Sequence, residues 1–227
     1  MLTIVPTPLG NLEDMTPRAL RALKQSQAVY CEDTRRTRGL MSHFGLTAQL
    51  LRYNEHDERS RRQMLDGLLA GKNLALVSDG GLPAISDPGW RIVAEARGHG
   101  IAVTALPGGS AVTTALAGSG LPADSFVFLG FLPRSPGKRK KALTAAAALE
   151  KTIAVYESPF RVVELLSEAL EIFGPGAQAC VVRELSKLHE EWVKGNLEKV
   201  HSEFASRKDI LGEFVVMLNA QNTDHQA

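Results

Sequence analysis

The chain has 227 residues, of which 44% are hydrophobic and 22% charged. That mixture excludes intrinsic disorder as the main state, and the length allows one large domain or two small ones. Lys plus Arg number 26 against 25 Asp plus Glu, a net charge of +1, so bulk charge names no polyanionic partner and nucleic-acid binding has to come from local basic patches. Cys31 and Cys180 lie far apart and in no ligand spacing, which argues against a disulfide scaffold or a cysteine zinc site and fits a reducing compartment. The start, Met1 to Pro6, has no basic segment and soon meets Glu13 and Asp14, unlike a signal peptide. The expectation is a cytoplasmic, soluble protein.

Short apolar runs alternate with helical patterns. Leu2 to Val5 reads as a strand. Thr16-Pro17 opens a helix, because Thr caps free N–H groups and Pro loses nothing at the first helical position. Ala28 to Cys31 and Asn73 to Ser78 read as further strands. Asp87-Pro88 repeats the cap-plus-proline signal before a helix bearing Ile92, Val93 and Ala96. Ile101 to Leu106 is a strand ending at Pro107-Gly108-Gly109-Ser110. From Gly98 to Ala123 there is no charged residue, a length that spans a bilayer. Its prolines, glycines and hydroxyl residues fit a buried strand, a glycine turn and a small-residue helix better.

Gly120, Leu121 and Pro122 break that helix, so a first domain is expected over 1–119 and a second over 120–227. The second restarts with a strand at Phe126 to Phe131, a polar loop from Pro133 to Lys141 and an Ala-rich helix. Thr152 to Tyr156 is a strand, and Ser158-Pro159 opens a helix with Val162, Leu165, Leu166 and Leu170 at helical spacing. Ala179 to Arg183 and Glu213 to Leu218 read as strands, and the tail from Asn219 is polar and reads as frayed. Strands alternating with helices give an α/β fold: two α/β domains with mostly parallel or mixed sheets.

Three loops leave candidate parallel strands at the ends where open α/β sheets bind ligands. Pro6-Thr7-Pro8-Leu9-Gly10-Asn11-Leu12 is stiffened by prolines and lacks the donors of a phosphate cradle. Ser78-Asp79-Gly80-Gly81-Leu82-Pro83 pairs a carboxylate, able to accept from an ammonium or ribose hydroxyls, with glycines that admit close approach. Pro107-Gly108-Gly109-Ser110-Ala111 offers free N–H groups at a helix start. Each is weak alone, a rigid turn or tight packing being the bland alternative. Together they would gather on one rim.

Basic runs form a further group. Glu32-Asp33-Thr34-Arg35-Arg36-Thr37-Arg38 follows the second strand, and Arg59, Arg61 and Arg62 come soon after. Lys138-Arg139-Lys140-Lys141 lies in the later loop. Arg binds phosphate in bidentate fashion and Lys as a point charge, so these runs suit an RNA backbone, although a solvated helix start explains such a run as well. Tyr156-Glu157-Ser158-Pro159-Phe160-Arg161 and Arg183-Glu184-Leu185-Ser186-Lys187-Leu188-His189-Glu190-Glu191 place carboxylates and a lysine at strand ends, where they orient or deprotonate a hydroxyl. Structural ion pairing is the better account of Glu190-Glu191. The six histidines fall in no metal-binding spacing, and no metal is expected.

In order along the chain, Thr7 to Leu12, Glu32 to Arg35, Ser78 to Gly89, Leu129-Gly130-Phe131-Leu132-Pro133, Tyr156 to Pro159 and Arg183 to Lys187 resemble the small-subunit ribosomal RNA methyltransferases of the tetrapyrrole methylase, or class III methyltransferase, superfamily. The resemblance covers nearly the whole chain. It implies a two-domain homodimer, tetrapyrrole methylase-like, with S-adenosyl-L-methionine held in a cleft between domains. It further implies methylation of a cytidine ribose 2′-hydroxyl in small-subunit (16S) ribosomal RNA, free or in the 30S particle. By motif position, Leu9, Asp79, Leu82, Ser110, Ala111 and Tyr156 are implied cofactor contacts. Gly80 and Leu82 stand where Ala and Thr are commoner, and Gly109 where Pro is commoner.

The residues agree with such chemistry. A sulfonium carries its own activated methyl group, so the protein has only to align a nucleophile, exclude water and accept a proton. Glu184 and Lys187 are the expected catalytic pair. Arg35, Arg36, Arg183, Lys138 and Arg139 are the expected RNA contacts. A tetrapyrrole-type small-molecule methylase would share the cofactor loops but not need the basic runs. A nucleotide-dependent oxidoreductase would need a GxGxxG fingerprint that the first loop lacks. A non-catalytic RNA-binding module would tolerate loss of the cofactor loops.

Overall fold

The computed structural model describes residues 1–220. The chain divides into two units, Met1–Ser110 and Ala111–Ala227. In the first, β1 (Leu2–Ile4), β2 (Ala28–Cys31), β3 (Leu50–Arg52), β4 (Leu74–Leu76) and β5 (Val103–Ala105) form one sheet in the order β3-β2-β4-β1-β5. Every pairing is parallel. A parallel strand needs a crossover to reach its neighbour, and α1 (Pro17–Gln25), α2 (Thr34–His43), α3 (Glu58–Leu69) and α4 (Trp90–Gly98) supply them.

The helices cover both faces. Ala19, Leu23 and Met41 of α1 and α2 pack with Val29, Ala75 and Val77. Met64, Leu68, Ile92 and Ala96 of α3 and α4 pack with Leu2, Tyr30 and Leu76. Neighbouring strands β1 and β4 therefore send their helices to opposite faces. That is a topological switch point, where a crevice opens at the carboxyl ends of the strands.

Local chemistry explains most helix starts. Thr16 accepts from the Ala19 N–H at 3.1 Å with Pro17 at the first helical position. Asp33 caps α2 through the Arg35 N–H at 2.8 Å, and Asp57 caps α3 through the Arg59 N–H at 3.0 Å. Asp87 does not cap α4, contrary to the expectation from Asp87-Pro88. The helix begins at Trp90 after Gly89, whose φ of 143° suits glycine. Its free N–H groups are taken by the buried Glu55, which accepts from Gly89 and, at 3.2 Å, from Arg91.

The second unit holds β6 (Phe126–Phe131), β7 (Thr152–Glu157), β8 (Gln178–Arg183), β9 (Glu191–Asn196) and β10 (Phe214–Asn219) in the order β6-β7-β10-β8-β9. Only β6 and β7 pair in parallel; the rest is antiparallel. α6 (Pro136–Ala147), α7 (Val162–Phe173) and α8 (Leu197–Ala205) bury Leu143, Leu165, Leu166, Val200 and Phe204 against Ile153, Val155, Val181 and Val216. α5 (Ala111–Ser119) packs on β7 and β10. It thus belongs to the second unit, whereas the sequence expectation put it in the first.

One further expectation holds and two shift. The charge-free stretch resolves into β5, a glycine turn and α5, which has nine residues. Among the described residues no helix is long and apolar enough to cross a membrane. Lys138 to Lys141 are helical, not loop, because Pro136 opens α6 ahead of them. Asn219 is not part of a frayed tail: it is the last residue of β10, 2% exposed, and its side-chain amide donates to Thr152 Oγ1 at 2.8 Å. The remainder of that tail, 221–227, lies outside the described residues.

Candidate functional site

The carboxyl ends of β1, β4 and β5 bring three separate loops into contact. Thr7 donates its N–H to the Gly81 carbonyl at 2.9 Å, and Gly81 returns the bond at 3.0 Å. The Thr7 hydroxyl donates to the Ser78 carbonyl, and the Ser78 hydroxyl to the Gly81 carbonyl, each at 3.1 Å. Gly81 has φ +89°, and a Cβ there would stand 3.2 Å from Leu9 Cδ2 and 3.7 Å from the Gly109 carbonyl. The third loop is equally tight: a Cβ on Gly108 would overlap Pro6 Cγ. These loops demand glycine because neighbouring chain fills the space.

A cavity of about 310 Å³ lies between the loop after β1, the first turns of α2 and the end of β4, with Leu9, Leu12, Leu40, Arg36, Ser78 and Asp79 in its wall. Its size is at the lower end of small-molecule sites. Asp79 accepts from the Asp33 N–H at 3.3 Å and faces the Arg36 guanidinium at 3.5 Å. Arg35 is 86% exposed in its side chain and pairs with Asp33, an arrangement worth little to stability.

Acids gather beside the recess, two of them paired: Asp33 with Arg35 and Asp79 with Arg36. Burial, then the charges of Asp87 and Asp79, push the Glu32 carboxyl above the usual glutamate range. The Arg35 N–H and guanidinium hold Asp33 below its usual range. A recess with one carboxylate, one guanidinium and leucine walls suits a ligand that joins polar or charged groups to an apolar or aromatic body.

The structure brings Leu9, Asp79 and the Gly109-Ser110 turn to one rim. Leu82 is half-buried and packs toward the core cluster of Leu2 and Leu76. Ala111 and Tyr156 belong to the second unit, where the Val112 N–H donates to Tyr156 Oη at 3.2 Å. Tyr156 is also edged by Phe128 and Phe131, with ring centroids 4.9 and 5.6 Å away.

Glu184 and Lys187 meet in the turn after β8. Lys187 Nζ donates to Glu184 Oε1 at 2.9 Å and to Glu213 Oε2 at 2.7 Å, and the Glu213 N–H donates to the same Glu184 oxygen at 2.9 Å. Glu213, just ahead of β10, is the partner that sequence reasoning missed. Burial works against the Glu184 charge, but the Lys187 ammonium and the Glu213 N–H prevail and hold its carboxyl below the usual range. Burial pulls Lys187 down, but Glu213 and Glu184 prevail and hold it above the usual lysine value. Glu184 and Ser186 both take positive φ, 53° and 64°, a local strain that functional turns commonly carry.

Of the expected RNA contacts, Arg35, Arg36 and Lys138 are exposed. Arg183 is partly engaged, donating to the Leu211 carbonyl at 2.6 Å with Glu191 at 3.7 Å. Arg139 is the exception. It is 0% exposed and clamped by Glu168 and, at 2.7 Å, by Glu164. A single residue step, about 100° around the helix axis, separates solvent-facing Lys138 from core-facing Arg139, and burial removes Arg139 from any RNA surface. Glu191 pairs with Arg207 at 2.6 Å and Glu190 accepts from Trp192 Nε1 at 2.8 Å, the structural pairing expected of those two acids. Among the described residues no group of three or more His, Cys, Asp or Glu stands ready to hold a metal. Cys31 and Cys180 are free and buried, and burial pushes the Cys180 thiol up to about 11.

A parallel sheet with a loop-built recess at its switch point, followed by a mixed-sheet unit, defines a two-unit α/β methylase fold, and residues 1–201 match the family of Tetrapyrrole (Corrin/Porphyrin) Methylases. The chain belongs to that family. It is 44% identical over 219 residues to the Ribosomal RNA small subunit methyltransferase I of Halalkalibacterium halodurans, covering 96% of this chain and 75% of that protein. It is 42% identical over 222 residues to the protein of the same name from Thermotoga maritima, covering 97% and 98%. The crystal structure of Uroporphyrin-III C-methyl transferase from Thermus thermophilus complexed with S-adenyl homocysteine superposes with a TM-score of 0.66 at 22% identity, covering 95% of this chain and 96% of that one.

Proposed function

We propose that this chain is an S-adenosylmethionine-dependent methyltransferase of small-subunit ribosomal RNA, and that it methylates the ribose 2′-hydroxyl of a cytidine. The observation that carries the reading is the interlock of the loops after β1 and β4 beside a recess walled by Leu9, Leu12, Leu40, Arg36 and Asp79, in a chain 44% identical over 219 residues to a ribosomal RNA methyltransferase. The residues present fit the cofactor. Leu9, Leu12 and Leu40 suit an apolar nucleoside body, and Asp79 suits an ammonium or ribose hydroxyls. When bound, the sulfonium supplies an already activated methyl group.

The rest is alignment and proton handling. Leu9, Asp79, Leu82 and Ser110 on the first unit, and Ala111 and Tyr156 on the second, are each proposed as cofactor contacts, the Tyr156 hydroxyl being held by the Val112 N–H of α5. Arg35, Arg36, Arg183 and Lys138 hold phosphates. Lys187 has three N–H donors, of which Glu184 and Glu213 take two; in this proposal the third steadies the substrate hydroxyl. Glu184 accepts the hydroxyl proton as the oxygen gains the methyl group. That proton becomes strongly acidic only then, so a carboxylate held below its usual range is a competent acceptor. The working assembly in this proposal is a homodimer, to be checked by light scattering.

The test is incubation with methyl-labelled S-adenosylmethionine and small ribosomal subunits lacking the modification, followed by mapping of the label. Label on the ribose of one cytidine is expected. No transfer to RNA, or transfer to a tetrapyrrole instead, overturns the proposal.

A further inference from the structure

Four residues past the Tyr156 ring, the chain makes a turn that displays an aromatic side chain to solvent. Phe160 is 91% exposed. An isolated exposed apolar residue needs no explanation when it sits on a loose loop, but this turn is held from several sides. The Arg161 N–H closes it onto the Ser158 carbonyl at 3.1 Å. Glu157, 2% exposed, accepts from the Ser158 N–H and from Arg161 Nη2, both at 2.7 Å. The Arg161 guanidinium also reaches the Leu132 carbonyl at 3.4 Å, tying the turn to the loop after β6. Val162 then starts α7 directly. A buried carboxylate and a partly exposed guanidinium thus support a ring that is itself almost fully in solvent.

The neighbourhood adds a second aromatic and two cations. Phe131 ends β6 in register with Tyr156 and is 59% exposed. Arg134 and Lys138, on the segment that follows, are exposed. An exposed ring on a fixed mount, tied through Arg161 and Leu132 to a segment carrying exposed cations, is a combination that binds unpaired nucleotides: a base stacks on the ring face and cations take the phosphates. A purely apolar protein contact would have no use for the flanking cations.

We propose that Phe160, braced by Glu157 and Arg161, is a stacking platform for an unpaired base of the RNA substrate, with Arg134 and Lys138 engaging adjacent phosphates. The inference rests on the RNA-methylation reading and adds a binding element to it. Stacking positions the RNA and takes no part in proton transfer.

The test compares the wild type with Phe160→Ala, Phe160→Leu and Phe160→Trp in full-length protein. Three quantities are measured: affinity for unmodified small ribosomal subunits by filter binding, S-adenosylmethionine affinity by calorimetry, and oligomeric state by light scattering. Phe160→Ala is expected to weaken RNA binding by about tenfold, in line with the loss of one base–aromatic stack. Phe160→Trp should restore it and Phe160→Leu should not, with cofactor affinity unchanged throughout. Wild-type RNA affinity in Phe160→Ala overturns the proposal. Full rescue by Phe160→Leu also overturns it and points to an apolar protein contact, and a changed oligomeric state at unchanged RNA affinity points to a subunit contact instead. Binding is read without methyl transfer. A wild type that binds subunits but does not methylate them therefore overturns the proposed function and leaves the platform standing, whereas a methylating wild type with an indifferent Phe160→Ala does the reverse.

Discussion

Thr7 and Gly81 exchange both of their main-chain hydrogen bonds, at 2.9 and 3.0 Å, and this small bridge sets the distance between the loops after β1 and β4. Gly81→Val puts a branched side chain at φ +89° against Leu9. The expected loss is about 1–3 kcal/mol, read as a fall of several degrees in thermal midpoint, together with weaker S-adenosylmethionine binding by calorimetry. Cofactor affinity equal to wild type would detach the bridge from the site.

Asp79 and Glu32 give a paired prediction. Asp79→Asn removes a carboxylate from the recess wall and should weaken cofactor binding by roughly 10- to 100-fold, the size of a lost charge-assisted hydrogen bond, with little change in melting. Glu32 is held above its usual range by burial and by Asp87 and Asp79. A cationic ligand favours its ionised form, so affinity should fall as the pH drops through that raised value, and Glu32→Gln should flatten the profile. A flat wild-type profile would contradict the sign.

Glu184 lies below its usual range and Lys187 above. A lowered carboxyl contributes stability that is fully present above the ordinary glutamate value and is lost as pH falls through the lowered one. A raised ammonium contributes below the ordinary lysine value and loses that contribution as pH rises through the raised one. The stability gap between wild type and Glu184→Gln should therefore be constant near neutrality and close on acidification, as followed by urea melts across pH. Glu184→Gln should also lower turnover while leaving cofactor binding nearly intact, and unchanged turnover would remove Glu184 from proton transfer.

Arg139 and Lys138 should part company. Arg139→Met leaves Glu168, 6% exposed in its side chain, without its cation, an uncompensated buried charge that costs about 3–5 kcal/mol. Adding Glu168→Leu should recover much of that. Lys138→Ala should barely alter stability but weaken RNA binding and lower its salt slope by about one. Equal melting of the two single variants would count against the buried clamp.

Much of this was readable in the residues, and the failures have physical causes. Apolar runs such as Ala28 to Cys31 and Thr152 to Tyr156 mark strands because they are buried or half-buried in a sheet. Leu50–Arg52 and Glu191–Asn196 escape the same reading because charge interrupts them: Arg52 closes the first, and Glu191, Lys194 and Asn196 break up the second. α2 and α3 are capped by Asp33 and Asp57, but their arginines mask the apolar stripe of Met41, Met64 and Leu68. The loops of the candidate site announce themselves through glycine and proline. The partners Glu55, Glu157 and Glu213 do not, since a carboxylate that serves a distant turn carries no local spacing signal. The basic run at Lys138 to Lys141 has uniform chemistry in sequence, and only the helix phase sends Arg139 inward.

The middle position of β1 in the first sheet carries a further consequence. β1 hydrogen-bonds to β4 and β5, which are made after it and last in that unit. The nascent N-terminus must wait, unpaired, until those later strands leave the translating ribosome, and such long-range closure is slow. An enzyme proposed to modify ribosomes therefore depends, for its own first strand, on an extended stay beside one.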